Sequence, residues 1–193
     1  MAERISALAG NYNPGRFGQE GEVGVTLCEM PGLILSQVAA WPDTLRAVGA
    51  KAAEAVGAKD APGPGRACEN AGAAVLRIEP LKFWIFGADT PTLGATDGAV
   101  LDLSHSRTHL RIIGPQATTL LNRHLPLDLR DLSFPVGSVA SSAFDHVGVT
   151  LWRSEAGFEL FLPRGFALSL WQVLLLGAAQ FGCQVIDKKA RQD

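Results

Sequence analysis

The stretch Val100–Pro126, VLDLSHSRTHLRIIGPQATTLLNRHLP, decides the fold. Val100, Leu101 and Leu103 form a short apolar run, and a polar turn follows it. Thr108, Leu110 and Ile112 then alternate with His109, Arg111 and Ile113, the two-residue period of a strand. Gly114-Pro115 ends that strand, because proline has no amide to give to a ladder. Ala117, Leu120, Leu121 and His124 recur at helical spacing, so a helix with one face to bury comes next. The unit is strand, turn, strand, helix.

Upstream, 23–29 and 33–41 read as strands on either side of the turn Met30-Pro31-Gly32. Pro42-Asp43-Thr44 opens a helix whose apolar stripe is Leu45, Val48, Ala52 and Val56, with Gly57 placed to close it. Residues 58–72 carry two Pro-Gly steps and read as a loop, and 73–78 and 81–86 return as strands. Downstream, 138–144, 147–153 and 158–162 read as three more strands, and a long helix is predicted from Phe166 to Phe181. The sum is an α+β fold of mainly antiparallel sheets with helices on their faces, in two small lobes at about 23–88 and 98–186 of a single domain, 23–186. Most adjacent strands have connections too short for a parallel crossover.

The ends read differently. Residues 1–22 are glycine-rich and polar, with Gly15, Gly18 and Gly21 at every third position, and the expectation is a flexible arm. No strand precedes these glycines and no Gly-Lys-Ser/Thr or GxGxxG pattern accompanies them, so they do not make a phosphate loop. Residues 187–193 read as a polar tail.

Composition excludes several classes of function. With 47% hydrophobic residues the chain can bury a sizeable core, and a formal net charge of −2 gives no nucleic-acid footprint. Cys28, Cys68 and Cys183 are odd in number and form no CxxC pair, which suits a reducing cytoplasm rather than a disulfide framework or zinc site. Met1-Ala2-Glu3-Arg4 leads into no apolar segment of signal-peptide length, and no run reaches the length that spans a bilayer. The expectation is cytoplasmic, with neither membrane nor nucleic acid as partner.

Candidate chemistry is sparse. His105 and His109 would share a side of a strand but lie too far apart to ligate one ion, while His124 falls on an apolar helix face and His146 in a hairpin turn. Ser104-His105-Ser106 lacks a GxSxG elbow, and adjacent strand residues point to opposite faces. Asp97 with Asp102, and Glu155 with Glu159, read as solvated acids beside turns. Trp84, Trp152 and Trp171, with Phe83 and Phe161, are enough aromatic surface to stack a pterin, though core packing is the commoner use. No catalytic, cofactor-binding or metal residue is assigned.

The last helix carries the partner argument. Phe166, Leu170, Val173, Leu174, Gly177, Ala178 and Phe181 make one apolar face, flanked by Leu168, Trp171, Leu175 and Ala179. Only Ser169, Gln172 and Gln180 form a polar strip. A helix apolar on most sides is buried on most sides. Leu168, Trp171 and Leu175, together with Phe83 and Trp84, are therefore the candidate partner-interface residues.

Asp102-Leu103-Ser104-His105-Ser106-Arg107, the strand ending in Gly114-Pro115, and the helix with Leu120-Leu121 resemble the folate-binding aminomethyltransferase superfamily. Arg77 to Trp84, Pro126 to Leu129, Leu151-Trp152-Arg153 and Phe158 to Arg164 sharpen the likeness to the sarcosine oxidase gamma subunit family, over Leu76 to Phe181. That resemblance implies a non-catalytic structural subunit of a multi-subunit flavin-dependent oxidase of sarcosine. Its partners would be alpha, beta and delta subunits. FAD, FMN, NAD and tetrahydrofolate would sit on those other subunits, with none in this chain. The alternatives are the gamma subunit of a related enzyme such as N-methylglutamate dehydrogenase, or a stand-alone folate-binding protein.

Overall fold

A computed structural model describes residues 5–187. The elements run β1 (Gly15–Phe17), β2 (Val25–Glu29), β3 (Leu35–Ala40), α1 (Leu45–Ala55), β4 (Ala67–Asn70), β5 (Ala73–Glu79) and β6 (Lys82–Phe86). Then come β7 (Gly98–Asp102), β8 (Arg107–Ile113), α2 (Ala117–Leu121), β9 (Val139–Phe144), β10 (Val147–Ser154), β11 (Gly157–Pro163), α3 (Ala167–Ala179) and β12 (Cys183–Val185). The strands form a seven-stranded sheet in the order β1-β12-β2-β8-β11-β10-β9 and a five-stranded sheet in the order β4-β5-β6-β3-β7. Every pairing is antiparallel except β12 with β2. This is the α+β, mainly antiparallel architecture with helices on sheet faces that the strand order predicts.

The two lobes do not follow the chain as expected. β2 belongs to the seven-stranded sheet although it lies within 23–88, and β7 belongs to the five-stranded sheet although it lies within 98–186. The turns after β2 and after β7 are crossings between sheets, not hairpins. Both crossings meet at Leu35, whose carbonyl accepts from Leu103 N at 2.9 Å and whose amide donates to Ser104 Oγ at 3.0 Å. Ser104 is thus the stitch that holds the crossing, which gives the Ser-His-Ser turn a structural purpose. β4 lies within the segment 58–72 expected as a loop, and pairs β5 from Ala67↔Leu76 to Asn70↔Ala73.

Strand alternation sorts the core into three layers. Leu110, Ile112, Leu160 and Leu162 face α2 and α3; Leu35, Leu76, Trp84, Trp152 and Phe161 fill the space between the sheets; Val38, Val75, Phe83 and Ile85 face α1. The order across the molecule is helices, sheet, sheet, helix.

The expected flexible arm is a correction over residues 5–22; Met1–Arg4 lie outside the described residues, as does the polar tail after Asp187. Leu8 is fully buried, and the Tyr12 ring lies against Trp171 with centroids 5.1 Å apart. Tyr12 Oη donates to the Ile186 carbonyl and accepts from Glu29 N, and β1 pairs with β12. The glycines serve close approach. At Gly18 φ is +82°, a Cβ would stand 1.8 Å from the Ala179 carbonyl oxygen, and Gln19 N donates to that same oxygen at 2.9 Å. One of the orphan carbonyls at the end of α3 is satisfied in this way. Gly18→Ala is expected to destabilise the chain by at least about 1–3 kcal/mol from backbone strain, to which the clash with the Ala179 backbone adds. The measurement is a melt, with Tm falling about 2–4 °C per kcal/mol in a chain of this size.

Candidate functional site

β8 and β11 pair antiparallel with His109 opposite Phe161 and Arg111 opposite Glu159. These four side chains share the face that looks toward the second sheet. There the Glu159 carboxylate, 0% exposed, meets three donors. Its Oε2 lies 2.7 Å from His109 Nε2; its Oε1 accepts from Arg111 Nε at 2.7 Å and from Ser154 Oγ at 2.8 Å. The His109 ring stacks on Phe161 at 4.6 Å and meets the edge of Phe86 at 5.4 Å.

Burial alone would push the Glu159 carboxyl up. The His109 hydrogen bond and charge, with Arg111 and the Ser154 hydroxyl, outweigh that and hold it below the ordinary carboxylate range. Ser154 links the cluster to a surface groove of about 460 Å³ lined by Arg66, Glu69, Gly72, Trp152 and Glu155. At the groove mouth burial raises Glu69, and the charges of Glu159 and Glu155 raise it further.

This arrangement ties three neighbouring strands of the seven-stranded sheet together, with His109 and Arg111 on β8, Glu159 on β11 and Ser154 on β10. A general acid or base needs a pKa near the working pH and a proton within reach of substrate. Glu159 is fully buried, and its carboxyl is held below the ordinary range rather than near neutral pH. Its expected place as a solvated partner of Glu155 is corrected: β11 is buried on both faces, and position 159 falls opposite Arg111. Asp97 instead pairs with Lys51 at 3.1 Å, and Asp102 Oδ1 accepts from Ser104 N at 2.8 Å. His124 stacks on Phe144 at 4.6 Å, while His105 and His146 are exposed. Cys183 is buried, its thiol pushed up to about 11 by desolvation. Among the described residues no three His, Cys, Asp or Glu side chains are grouped to hold a metal ion.

The five interface candidates separate by burial. Phe83 packs beneath α1, Trp84 lies between the sheets with its ring edge-on to Phe161 at 5.7 Å, and Trp171 sits under the N-terminal segment. All three are buried in the chain's own cores and offer no surface, a correction whose cause is packing on both faces of the five-stranded sheet and on the inner face of α3. Leu168 and Leu175 are half-buried along the flank of α3. Trp152 and Phe161 are buried as well, so the aromatic residues weighed for pterin stacking pack on protein neighbours.

Two large apolar residues of the predicted helix 166–181 stand exposed. Leu176 is 79% exposed on the strip with Ser169, Gln172 and Gln180, and Phe166, assigned to the buried face, is 51% exposed on the single 3-10 turn that precedes α3. Leu176 stands four residues after Gln172 and seven after Ser169, so helical spacing alone places it with them.

No family model matches the chain. A sarcosine oxidase subunit gamma from Corynebacterium sp. (strain U-96) is 32% identical over 152 residues, covering 75% of this chain and 74% of that protein. The chain belongs to the sarcosine oxidase gamma subunit family. A solved chain of the heterotetrameric sarcosine oxidase from Corynebacterium sp. U-96, in complex with pyrrole 2-carboxylate, superposes with a TM-score of 0.72 at 27% identity. That match covers 86% of this gamma-family chain and 88% of the other. The aminomethyltransferase T of the glycine cleavage system from Bartonella henselae superposes at 0.60 with 19% identity, over 85% of this chain and 48% of that one, and shares the fold. Among the described residues no helix is long and apolar enough to cross a membrane.

Proposed function

We propose that this chain is the non-catalytic gamma subunit of a heterotetrameric, flavin-dependent oxidase of sarcosine. The observation that carries this is the likeness, over nine-tenths of both chains' length or close to it, to a chain of such an assembly. The buried carboxylate supports the non-catalytic half: Glu159 is 0% exposed and is held by His109, Arg111 and Ser154. A flavin held by another subunit would accept hydride from the N-methyl carbon of sarcosine, and water or tetrahydrofolate would then take the oxidised one-carbon unit, leaving glycine. This chain supplies buried surface to the alpha, beta and delta subunits in a soluble cytoplasmic complex. Leu168 and Leu175, with Leu176, are the residues on α3 that reach a partner.

The test is to tag this chain, purify what assembles on it, and measure both flavin absorbance and sarcosine-dependent oxygen uptake. A flavin-containing complex that oxidises sarcosine is the expected result. A monomer without flavin partners, or tight binding of tetrahydrofolate by the isolated chain, would overturn the reading.

A further inference from the structure

The five-stranded sheet ends on one side at β7, and the hydrogen bonds fix which way that strand points. Ala40 N donates to Leu81 O, so even-numbered residues of β3 serve β6; Leu103 N donates to Leu35 O, so odd-numbered residues of β3 serve β7. With Val38 opposite Val100 and Gln37 opposite Leu101, Ala99 and Leu101 bond inward to β3. Gly98 and Val100 therefore turn their N–H and C=O groups away from the sheet, and no described residue pairs with them.

The other sheet ends are shorter, charged or more polar. β1 is three residues long and carries Arg16. β4 carries Glu69, and the backbone beside it is tied to the β9 end, with Ala67 N donating to Gly137 O and Val139 N to Gly65 O. β9 presents Ser141 and Ser142. β7, GAVLD, has no proline and no charge before its last residue, and its Leu101 side chain is 55% exposed. Val100 beside it, and Ile34 and Trp41 at the two ends of β3, are exposed too. Proteins blunt or cover such edges because an open one templates pairing with another chain.

Resting on the subunit reading above, we propose that β7 is a docking edge that takes one extended strand of a partner subunit, as the sixth strand of this sheet. The backbone groups of Gly98 and Val100 recur at the two-residue period that only an extended segment matches. Val100 and Leu101 point to opposite faces of the sheet, so the incoming strand carries apolar side chains on both of its faces.

Hydrogen exchange on the full chain, alone and within the tagged complex, tests this directly. The amide of Val100 is expected to exchange about 100-fold more slowly in the complex. Val100→Pro removes only an outward donor and is expected to leave the free chain's melt nearly unchanged while lowering partner retention about tenfold. Val100→Thr keeps the amide and is expected to retain the partner. Free exchange at Val100 in an assembled complex, or full retention by Val100→Pro, overturns the proposal. So does protection of Val100 that rises with the concentration of the isolated chain, which would make the occupant a second copy. A wild-type chain that gathers no flavin-containing partner overturns the subunit reading itself, and this inference with it.

Discussion

Glu159→Ala is expected to lower the stability of the free chain by about 3–5 kcal/mol, because it breaks a buried ion pair from one side. The substitution leaves His109 and Ser154, both buried, and the head of Arg111 facing a gap with no acceptor. On the His109 side the Phe86 and Phe161 rings keep water from filling the gap. Urea unfolding followed by circular dichroism measures the loss. The pH dependence has a definite sign. The folded Glu159 carboxyl lies below its unfolded value, so its stabilisation is complete above about pH 4.5 and disappears as pH falls through the folded pKa. The stability gap between wild type and Glu159→Gln should therefore be widest near pH 7 and narrow as the pH is lowered below about 4. A gap that is the same at pH 7 and pH 3 would show that the carboxylate's charge contributes nothing.

Most of the fold was legible because the strands alternate and the turns carry glycine and proline at the right offsets. What alternation cannot say is which sheet a strand joins. Met30-Pro31-Gly32 and Ser104-His105-Ser106 have the composition of hairpin turns, yet each passes the chain between sheets, and the stitch from Ser104 to Leu35 spans 69 residues. Glu159 was misread for a local reason. It stands among Phe158, Leu160, Phe161 and Leu162, and the burial of β11 on both faces hides its period. A signal was present: His109 and Arg111 are alternate polar positions on β8, and a lone acid in an apolar strand needs such a partner. The N-terminal segment was misread because glycine suggests freedom, whereas Gly18 is there to let Gln19 reach the Ala179 carbonyl. That contact is between backbones far apart in sequence, and side-chain pattern carries no trace of it.

Trp171 offers the sharper division between a core and a partner surface. As an interface residue, its loss would weaken assembly and spare the free chain. In the structure it is 2% exposed on the inner side of α3, under Tyr12, so Trp171→Ala is expected to cost the free chain about 3–5 kcal/mol. The loss should reach the N-terminal segment too, because the Tyr12 ring would lose its platform and the bonds from Tyr12 to Ile186 and Glu29 would loosen with it. Protease cleavage near residues 10–20 should rise in parallel. Trp171→Phe should cost much less: it keeps a ring beneath Tyr12 and removes an indole N–H that is buried with no hydrogen-bond partner among the described residues. Leu176→Ala is the opposing control, since its side chain stands in solvent and its loss should change free-chain stability by no more than about 0.5 kcal/mol. Equal destabilisation by Leu176→Ala and Trp171→Ala would mean that α3 is turned the other way, with the face now described as outward packed on the sheet.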